Sequence, residues 1–594
     1  MALRGAVADA VVACAVKYPL LHDVRTARLE YGTSGFRTSG AFLAPVAVRV
    51  AFVAAIRVWW GAKKGGNAKC SVGCMITASH NPAADNGLDG GMLDSSWEGI
   101  CTKAANAVTG EELLNELNEW LELQGIAPCS AEQIEVHCPF GSIQLARDTR
   151  ATGLEIFRAF QYSFSAISMS TRDHGIIPTP QLHFVVQRVN TASPGATEIM
   201  GKDGPCPALY RKEVLTAVDE LLREFLRDNE KGKGRQKVVF DAANGVGAIA
   251  LSSLMEDARR LSLEAFLSYF DVTILNDEVT TSDALNNKCG ADHTQKTRQP
   301  SDTMRQWALA NRSNKKDNEE VHYYSLDGDA DRVVAFFHDD KEEKDQWHLL
   351  DGDGISILYA LALRHWIGEE ALKLLDVGVV QTAYANGAST NFIKRQLGLC
   401  VHFSPTGVKN LHPIAHERDV GIYFESNGHG TVLFDDKNIT TKLKNISPKT
   451  THILRTLQKL LSQTCGDAIA DSFACEVALL AMKLTFESWL NLYEDVPSYQ
   501  AKVTVPNPKI ICTTKNERRV VQPEGLQEDI DKLVAEIDKA SNSTIKVTRA
   551  FVRPSGTEPI VRIYVEANTS TVCDRIGEEI KKIVWQYCRA AQAI

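Results

Sequence analysis

The sequence predicts an α/β protein of about four domains whose last part is α+β. A chain of 594 residues corresponds to about four domains, because a typical domain has roughly 150 residues. Helical and strand-like spacings of apolar residues alternate along most of the chain, which is typical of layered α/β folds. Near the end, helices and strands mix without this regular alternation, which favours an α+β domain there.

The first part of the chain contains two helical patterns and one strand pattern. Residues 44–60 carry apolar side chains at helical spacing. In residues 109–123 the apolar side chains fall on one helix face, and Thr109 is a residue type that begins helices. Residues 69–77 are a short apolar run that ends in a loop and predicts a strand.

The middle of the chain predicts a βαβ unit. A helix at 211–227 precedes a buried type of strand at 237–240 and a further strand at 271–275. Residues 296–320 are polar and are expected to form a surface excursion. A third α/β region is predicted at about 350–459. Beyond it, the α+β part contains strand patterns and a closing helix, at 501–505, 545–552, 560–567 and about 572–591.

Composition and charge exclude several classes of protein. Hydrophobic residues make up 44% and charged residues 23% of the chain, which excludes a disordered or fibrous protein. The formal net charge is −9, and this argues against nucleic acid or a membrane surface as a partner, since both attract clustered positive charge. A local basic pocket for an anionic ligand is compatible with this charge.

Cysteine usage and hydropathy indicate a cytoplasmic protein. The 14 cysteines form no CxxC pair, and reduced thiols of this kind are typical of the cytosol. We expect no run of about 18 apolar residues that could span a membrane. Residues 6–16 are apolar but are interrupted by Asp9, which favours an amphipathic helix over a secretory signal.

A serine loop follows the strand predicted at 69–77. It reads Thr77-Ala-Ser-His-Asn-Pro82. His80 adjoins Ser79, but neighbours in sequence need not form a contact between a base and a nucleophile. From these residues alone, Ser79 is either a catalytic serine or an ordinary turn serine.

Three carboxylates alternate in the segment Asp327-Gly-Asp-Ala-Asp-Arg332. In an extended segment Asp327, Asp329 and Asp331 point to the same side, and like charges so close require a cation between them. Hard oxygen ligands favour Mg²⁺, which completes its shell with water or phosphate. The strand-like flanks favour this metal loop over a solvated acidic turn.

A glycine-rich segment, Phe424-Glu-Ser-Asn-Gly-His-Gly430, follows Thr406-Gly-Val-Lys409. Glu425 and Asn427 share one side of an extended segment, and a carboxylate with an amide can bridge sugar hydroxyls. A glycine-rich hairpin without a ligand is an equal interpretation.

The segment Arg553-Pro-Ser-Gly-Thr-Glu-Pro559, with Arg562 beyond it, has the composition of a phosphate site. Arginine offers a fork of donors, and Gly556 allows the turn that presents backbone N–H groups to an anion. A charged surface turn is the alternative.

Together these motifs resemble the α-D-phosphohexomutases, and within them the branch that acts on N-acetylglucosamine phosphates. The resemblance runs nearly from end to end. Besides the four loops it includes Tyr31-Gly-Thr-Ser-Gly-Phe-Arg37, Arg147-Asp-Thr-Arg150, Pro178-Thr-Pro-Gln-Leu182 and Gly378-Val-Val-Gln-Thr-Ala-Tyr-Ala-Asn-Gly387. Asn427 stands where the glucose, mannose and glucosamine mutases usually carry serine.

The resemblance implies four domains around a central cleft: three related mixed α/β domains and a smaller α+β C-terminal domain. We place them at residues 1–197, 198–338, 339–462 and 463–594. In that order they would carry the phosphoserine loop, the metal-binding loop, the sugar-binding loop and the phosphate-binding loop.

The resemblance also implies roles for individual residues. Ser79 would be a phosphoserine, and the Mg²⁺ ligands would be an oxygen of that group, Asp327, Asp329 and Asp331. The sugar would contact Gly407, Lys409, Glu425, Ser426 and Asn427. The phosphate that does not react would contact Arg553, Pro554, Ser555, Gly556, Thr557 and Arg562.

The implied reaction interconverts N-acetylglucosamine 6-phosphate and 1-phosphate. It passes through phospho-Ser79 and a hexosamine 1,6-bisphosphate, in the synthesis of UDP-N-acetylglucosamine. We expect a monomer whose partner is a small sugar phosphate. A mutase for other hexose or hexosamine phosphates and a non-catalytic sugar-phosphate-binding paralogue are the alternatives.

One departure from the family concerns proton transfer. The family usually reads Asp-Asn-Gly-hydrophobic-Lys after the serine loop, whereas this chain reads Asp85-Asn-Gly-Leu-Asp89 and has no lysine until Lys103. Either His80 or Arg37 manages the proton instead, or the chain is impaired. His80 is suited to this role by an ordinary pKa near 6.5.

Overall fold

The computed structural model describes most of the chain, and its contacts divide the protein into two compact units. The described residues are 3–21, 28–32, 35–64, 70–89, 93–125, 142–191, 204–226, 235–281, 283–312, 320–340, 346–444, 447–540, 547–555 and 560–590. Unit 1 comprises Met1–Leu349 and Thr456–Val477. Unit 2 comprises Leu350–Arg455 and Ala478–Ile594.

Unit 1 begins with a mixed sheet. Its strands are β1 (Gly35–Ser39), β2 (Val72–Ile76), β3 (Asp85–Asp89), β4 (Ile143–Arg147) and β5 (Thr171–Ile176). The order is β1-β3-β2-β4-β5, in which β4 is parallel to β2 and β5, and β3 is antiparallel to β1 and β2. The carboxyl ends of β2 and β4 therefore meet at one edge, where the serine loop begins.

Helices cover this first sheet and form a large apolar core. They are α1 (Ala6–Lys17), α2 (Leu43–Lys64), α3 (Ser95–Asn106), α4 (Gly110–Leu123), α5 (Gly153–Ala166) and α6 (Thr179–Thr191). The helix predicted at 109–123 is confirmed: the side-chain oxygen of Thr109 accepts the N–H of Glu112 and caps α4. Its apolar face is buried in the core, as the spacing predicts.

Among the described residues, one helix is long and apolar enough to cross a membrane. The segment Gly40–Gly61 has a mean hydropathy of 2.0, so the expectation that no run has this character is wrong. However, 78% of its apolar window is buried inside the protein. Within it, Arg49 is fully buried and donates to the carbonyl oxygens of Tyr18, Pro45 and Ala107. These features make α2 the core helix of this part of unit 1.

A second sheet of unit 1 carries the metal loop. Its strands are β6 (Gln236–Asp241), β7 (Phe270–Leu275), β8 (Val321–Leu326), β9 (Val333–Asp339) and β10 (Gln346–Leu350). The order is β10-β9-β8-β6-β7, with β6 parallel to β7 and β8, and β8 antiparallel to β9. The strands predicted at 237–240 and 271–275 are confirmed as β6 and β7. The three aspartates lie in the short connection between β8 and β9.

The helices of this second part include one that the sequence did not predict. They are α7 (Pro207–Phe225), α8 (Val246–Arg260), α9 (Glu264–Tyr269), α10 (Gly290–Thr297) and α11 (Asp302–Asn311). The prediction of a polar surface excursion at 296–320 is wrong over α11, because Met304 and Ala308 of this helix are buried in the core. Ser301 caps the helix by accepting the N–H of Met304.

Unit 2 begins with a four-stranded sheet. Its strands are β11 (Val377–Gln381), β12 (Cys400–Phe403), β13 (Val420–Phe424) and β14 (Gly430–Phe434), in the order β12-β11-β13-β14. Its helices are α12 (Gly352–Leu372), α13 (Gly387–Arg395), α14 (Val408–His416) and α15 (Asp436–Leu443). The glycine-rich segment 425–429 connects β13 to the antiparallel β14, which makes it a hairpin loop.

Three helices follow this sheet, and within them the chain passes from unit 2 to unit 1 at Thr456 and back to unit 2 at Ala478. They are α16 (Pro448–Leu460), α17 (Ala468–Met482) and α18 (Phe486–Leu490). Inside unit 1, Glu476 of α17 accepts hydrogen bonds from His322 Nδ1 at 2.8 Å and from the hydroxyl of Tyr324 at 2.8 Å. These two buried contacts attach α17 to β8.

The last part of unit 2 is α+β, as predicted. Its strands are β15 (Ser498–Thr504), β16 (Cys512–Thr513), β17 (Val520–Gln522), β18 (Val547–Pro554) and β19 (Ile560–Ala567). Its helices are α19 (Leu526–Ala540) and α20 (Ser570–Ala590). An antiparallel sheet, β15-β19-β18, shares one apolar core with α19 and α20. The predicted fold class is confirmed, and the four predicted domain boundaries stay predictions.

The buried ion pair between His322 and Glu476 predicts a pH-dependent stability of unit 1. Burial lowers the pKa of His322, but the charge of Glu476 and the hydrogen bonds to Glu320 and Glu476 outweigh it and raise the pKa to about 9. A raised pKa stabilises the fold below the unfolded value of about 6.5, and this contribution is lost as the pH rises through about 9. The loss is on the order of 3 kcal/mol.

Urea unfolding of the wild type and of His322→Gln between pH 6 and pH 10 measures this contribution. We expect the unfolding free energy of the wild type to fall over the upper part of this range, and that of the variant to fall less. An equal decline in both proteins would contradict the assignment.

Candidate active site

Ser79 lies at the carboxyl edge of the first sheet and reaches the metal loop of the second. Its Oγ donates a hydrogen bond of 2.8 Å to Oδ2 of Asp327, although the two residues are far apart in sequence. The residue is 1% exposed, and its backbone is left-handed with φ of +51°. The predicted meeting of the serine loop and the aspartate loop is therefore present within unit 1.

Two side chains fix the backbone of the serine loop. Arg150 is fully buried and donates to the carbonyl oxygens of Ser79, Asn81, Pro82 and Asp85 at 2.6–2.9 Å. The Nδ2 of a second side chain, Asn286, donates to the carbonyl oxygens of Ser79 and Asn81 at 2.9 and 3.0 Å. The bonds from Arg150 are charge-assisted, and together with those from Asn286 they hold the loop in one conformation.

The loop also requires close approach of backbones. A Cβ at position 328 would lie 2.7 Å from the carbonyl oxygen of Ser79 and 2.7 Å from Nδ2 of Asn286. Only a glycine fits here, because any side chain at position 328 would clash with the serine loop. Gly328 lies between Asp327 and Asp329, so it allows the aspartate loop to pack directly against the backbone of Ser79.

The three aspartates form a buried cluster whose residues fit a divalent cation. One carboxylate oxygen each from Asp327, Asp329 and Asp331 lie within 4.8 Å of one another. Thr179 donates its hydroxyl to Oδ2 of Asp329 at 2.7 Å, whereas Oδ1 of the same residue is buried with no hydrogen-bond partner among the described residues. Clustered hard oxygen donors with a buried unsatisfied oxygen suit Mg²⁺.

The electrostatics of this cluster support the same conclusion. Burial, and then the charges of Asp331 and Asp329, raise the pKa of Asp327 well above its ordinary range. Burial and the charge of Asp329 raise the pKa of Asp331 to about 7. Arg332 offsets only part of this repulsion, with its Nε 3.8 and 3.6 Å from the carboxylates of Asp327 and Asp331. A bound cation would supply the remaining positive charge.

The two residues predicted to manage the proton lie in different environments. Nδ1 of His80 is 3.5 Å from Oγ of Ser79. The charge of Arg332, followed by burial and the charge of Arg37, lowers the pKa of His80 far below its ordinary value. The imidazole is therefore neutral at physiological pH, and the argument from a pKa near 6.5 does not hold. Arg37 is exposed on β1, paired with Gly87 of β3.

The first lysine after the serine loop is held on a helix surface. Lys103 lies on α3, and its Nζ forms an ion pair of 2.7 Å with Glu116 of α4. This contact links the Lys103 side chain to α4.

In unit 2 the predicted sugar-binding residues surround the β13–β14 hairpin. The N–H of Gly407 donates to Oε1 of Glu425 at 2.9 Å, which joins the two predicted segments. The side chains of Ser426 and Asn427 are half-buried at the hairpin, and Lys409 is half-buried in the first turn of α14. This part of unit 2 therefore carries a carboxylate, a hydroxyl, an amide and an ammonium group, which are types of group that bind sugar hydroxyls.

The predicted phosphate-binding arginines face each other across two strands. Arg553 of β18 and Arg562 of β19 are direct antiparallel partners, so their side chains leave the sheet on the same face. Like charges directly opposite each other are unfavourable unless an anion lies between them. Ser555 is half-buried beside Pro554, and Gly556 and Thr557 lie outside the described residues.

Sequence reasoning missed several residues that shape these sites. Arg150 and Thr179 occur in segments that carry the family resemblance, but no chemistry could be read from them. The same holds for Tyr384 in the segment 378–387, whereas Asn286 and Glu517 lie outside every motif quoted from the sequence, and only the fold brings them to the loops. Tyr384 accepts a hydrogen bond of 3.0 Å from Nε of Arg553.

Comparisons with known proteins give one consistent result. Residues 351–484 match the model of phosphoacetylglucosamine mutase AMG1, domain III, and residues 502–583 match the C-terminal domain of phosphoglucomutase/phosphomannomutase. Phosphoacetylglucosamine mutase 1 of Schizosaccharomyces pombe is 36% identical, over 94% of this chain and 99% of its own length. The human phosphoacetylglucosamine mutase is 34% identical, over 96% of both chains.

Solved structures agree with these relatives. N-acetylphosphoglucosamine mutase of Aspergillus fumigatus in complex with GlcNAc-6P and magnesium has a TM-score of 0.79 at 32% identity, over 98% of this chain and 100% of that one. A variant of the same enzyme in complex with glucose 1,6-bisphosphate has a TM-score of 0.81 at 32% identity, over 98% and 99% of the chains. The chain therefore belongs to the phosphoacetylglucosamine mutase family of the α-D-phosphohexomutase superfamily.

Proposed function

We propose that this protein interconverts N-acetylglucosamine 6-phosphate and N-acetylglucosamine 1-phosphate through a phosphoserine at position 79 and a 1,6-bisphosphate intermediate. The observation that carries the proposal is the hydrogen bond between the buried Oγ of Ser79 and the cluster of three aspartates. The activity named for the relatives and the complexes of the Aspergillus enzyme support the substrate class.

Unit 1 supplies the phosphoryl chemistry. The bond between phosphorus and Oγ of phospho-Ser79 breaks, and the free 1- or 6-hydroxyl of the sugar phosphate forms the new bond to phosphorus. Arg150 and Asn286 keep the serine loop in position for in-line transfer. Asp327, Asp329 and Asp331 would hold Mg²⁺, which neutralises charge on the phosphoryl group when bound.

Unit 2 supplies recognition of the sugar phosphate. Glu425, Ser426, Asn427 and Lys409 offer hydrogen-bonding groups for hydroxyls, and Arg553 and Arg562 offer two cations for the phosphate that does not react. The intermediate carries a phosphate at each end, so the same contacts serve both directions of the reaction. His80 and Arg37 are the groups proposed to assist transfer of the hydroxyl proton, and because the pKa of His80 is lowered it would act as a neutral imidazole that contacts the hydroxyl, 3.5 Å from Oγ of Ser79.

The proposal is tested by a coupled assay with several hexose phosphates, run with Mg²⁺ and with a chelator. The expected result is Mg²⁺-dependent conversion, fastest with N-acetylglucosamine phosphate. A preference for glucose or glucosamine phosphates would identify a different mutase, and binding without any turnover would identify a non-catalytic paralogue.

Substitution of the proposed nucleophile should abolish turnover and leave binding intact. Ser79→Ala removes the atom that carries the phosphoryl group, so we expect kcat to fall by at least about a thousandfold. Calorimetry with N-acetylglucosamine 6-phosphate should give a dissociation constant close to that of the wild type. Ser268→Ala, an exposed serine of α9, is the matched control. Unchanged turnover in Ser79→Ala would reject the phosphoserine.

Mg²⁺ should stabilise the fold through the three aspartates. A cation relieves the repulsion among buried carboxylates, so we expect millimolar Mg²⁺ to raise the thermal midpoint of the wild type by about 3 °C or more. Asp329→Asn should remove this shift, whereas Asp302→Asn at the start of α11 should retain it. A shift of equal size in both variants would place the cation elsewhere.

Arg562 should contribute to substrate affinity. Arg562→Gln removes one of two cations for the phosphate, so we expect KM to rise about 10- to 100-fold, the equivalent of about 1.4–2.8 kcal/mol. Arg589→Gln near the end of α20 is the control. A lower thermal midpoint with an unchanged KM would show that Arg562 is structural.

A further inference from the structure

Glu517 occupies the turn between β16 and β17 and contacts two of the predicted binding segments of unit 2. Its Oε2 accepts the N–H of Thr406 at 2.9 Å and the hydroxyl of the same residue at 2.7 Å. Its Oε1 lies 3.6 Å from Nη1 of Arg553. One carboxylate therefore joins the segment that precedes α14 to the arginine that begins the phosphate-binding segment.

These contacts continue on both sides of Glu517. Gly407, next to Thr406, donates its N–H to Glu425 of the hairpin at 2.9 Å. On the other side, Arg553 donates to the hydroxyl of Tyr384 at 3.0 Å and lies over its ring. The sugar-binding hairpin and the phosphate-binding arginine thus belong to one continuous series of polar contacts.

The backbone of Glu517 is held in a conformation that its side chain does not favour. Its φ is +57°, in the left-handed region where glycine and asparagine are the usual residues. The turn is closed by hydrogen bonds from the N–H of Glu517 to the carbonyl of Thr514 and from the N–H of Thr514 to the carbonyl of Arg519, both 2.8 Å. The contacts of the Glu517 side chain are what offset the cost of this backbone conformation. Backbone strain of this kind clusters at functional sites.

Burial strengthens the contacts of this carboxylate. The side chains of Glu517 and Arg553 are 18% and 13% exposed, so water screens their interaction only weakly. The ion pair differs in this respect from the exposed pairs on α20, such as Lys582 with Glu579.

We propose that Glu517 is a positioning residue for the sugar phosphate, which orients the Thr406–Gly407 segment and Arg553 before the ligand binds. This inference rests on the proposed function and deepens it. An arginine side chain that nothing holds samples many rotamers, and a loop beside a glycine has several conformations. Ordering both in advance removes this entropic cost from the binding step. Glu517 touches no reacting atom in this assignment, so its effect falls on KM and not on kcat.

The test compares Glu517→Gln with Glu536→Gln, the same chemical change at an exposed position of α19. A glutamine keeps the size of the side chain but loses the charge and places an N–H₂ group against donors. We expect KM for N-acetylglucosamine 6-phosphate to rise about tenfold in Glu517→Gln, with kcat within about threefold of the wild type. The control should have the wild-type KM.

Two further measurements separate positioning from general loss of structure. Thr406→Val removes a donor to Glu517, and if both act through one contact the double variant should have a KM no higher than that of Glu517→Gln alone. Calorimetry in the Ser79→Ala background should show the same loss of affinity without turnover. A fall in kcat and in the thermal midpoint with unchanged KM and affinity would overturn the inference. Failure of the wild type to turn over any sugar phosphate would instead reject the proposed function.

Discussion

The burial of three like charges beside one hydroxyl is the constraint on which the structure of unit 1 depends. Removing Asp327, Asp329 and Asp331 from water is costly, and the protein offsets only part of the cost with Thr179, Arg332 and backbone N–H groups. A protein that needed stability alone would not retain such a cluster. The clustered negative charge has the sign that a divalent cation neutralises, and three carboxylate oxygens within 4.8 Å of one another suit such an ion.

Unit 2 also places like charges close together, but there the charges are positive. Arg553 and Arg562 are directly opposed across two strands, where like charges are unfavourable in a sheet, and Glu517 lies 3.6 Å from Arg553. A phosphate between the two guanidinium groups would remove this repulsion. The net charge of −9 for the whole chain gives no sign of this local excess of positive charge. Affinity for an anion thus depends on the placement of two arginines and not on the overall charge of the protein.

Features that depend on residues close in sequence were predicted correctly, whereas the supporting contacts between residues far apart in sequence were not predicted. The helix at 109–123 and its cap at Thr109 follow from local periodicity, and the alternation of the three aspartates is itself a local pattern. Arg150 is 71 residues from Ser79 in sequence, and Asn286 is 207 residues away, so no spacing rule could connect them. The short helix α11 was missed because it buries few apolar residues. The burial of α2 depends on packing that its hydropathy alone cannot show.

The rigidity of the serine loop has a consequence for how a 1,6-bisphosphate can be processed. Arg150 and Asn286 both bind the carbonyl oxygens of Ser79 and Asn81, and Gly328 is in contact with the same backbone, so this loop is held against swinging between the two ends of a sugar. If the phosphoserine stays in place, the ligand must turn to present its other phosphate. Groups that hold the ligand must then accept two orientations. Hydrogen-bonding side chains such as those of Glu425 and Asn427, together with a pair of arginines, meet this requirement better than a pocket shaped to one face of the sugar.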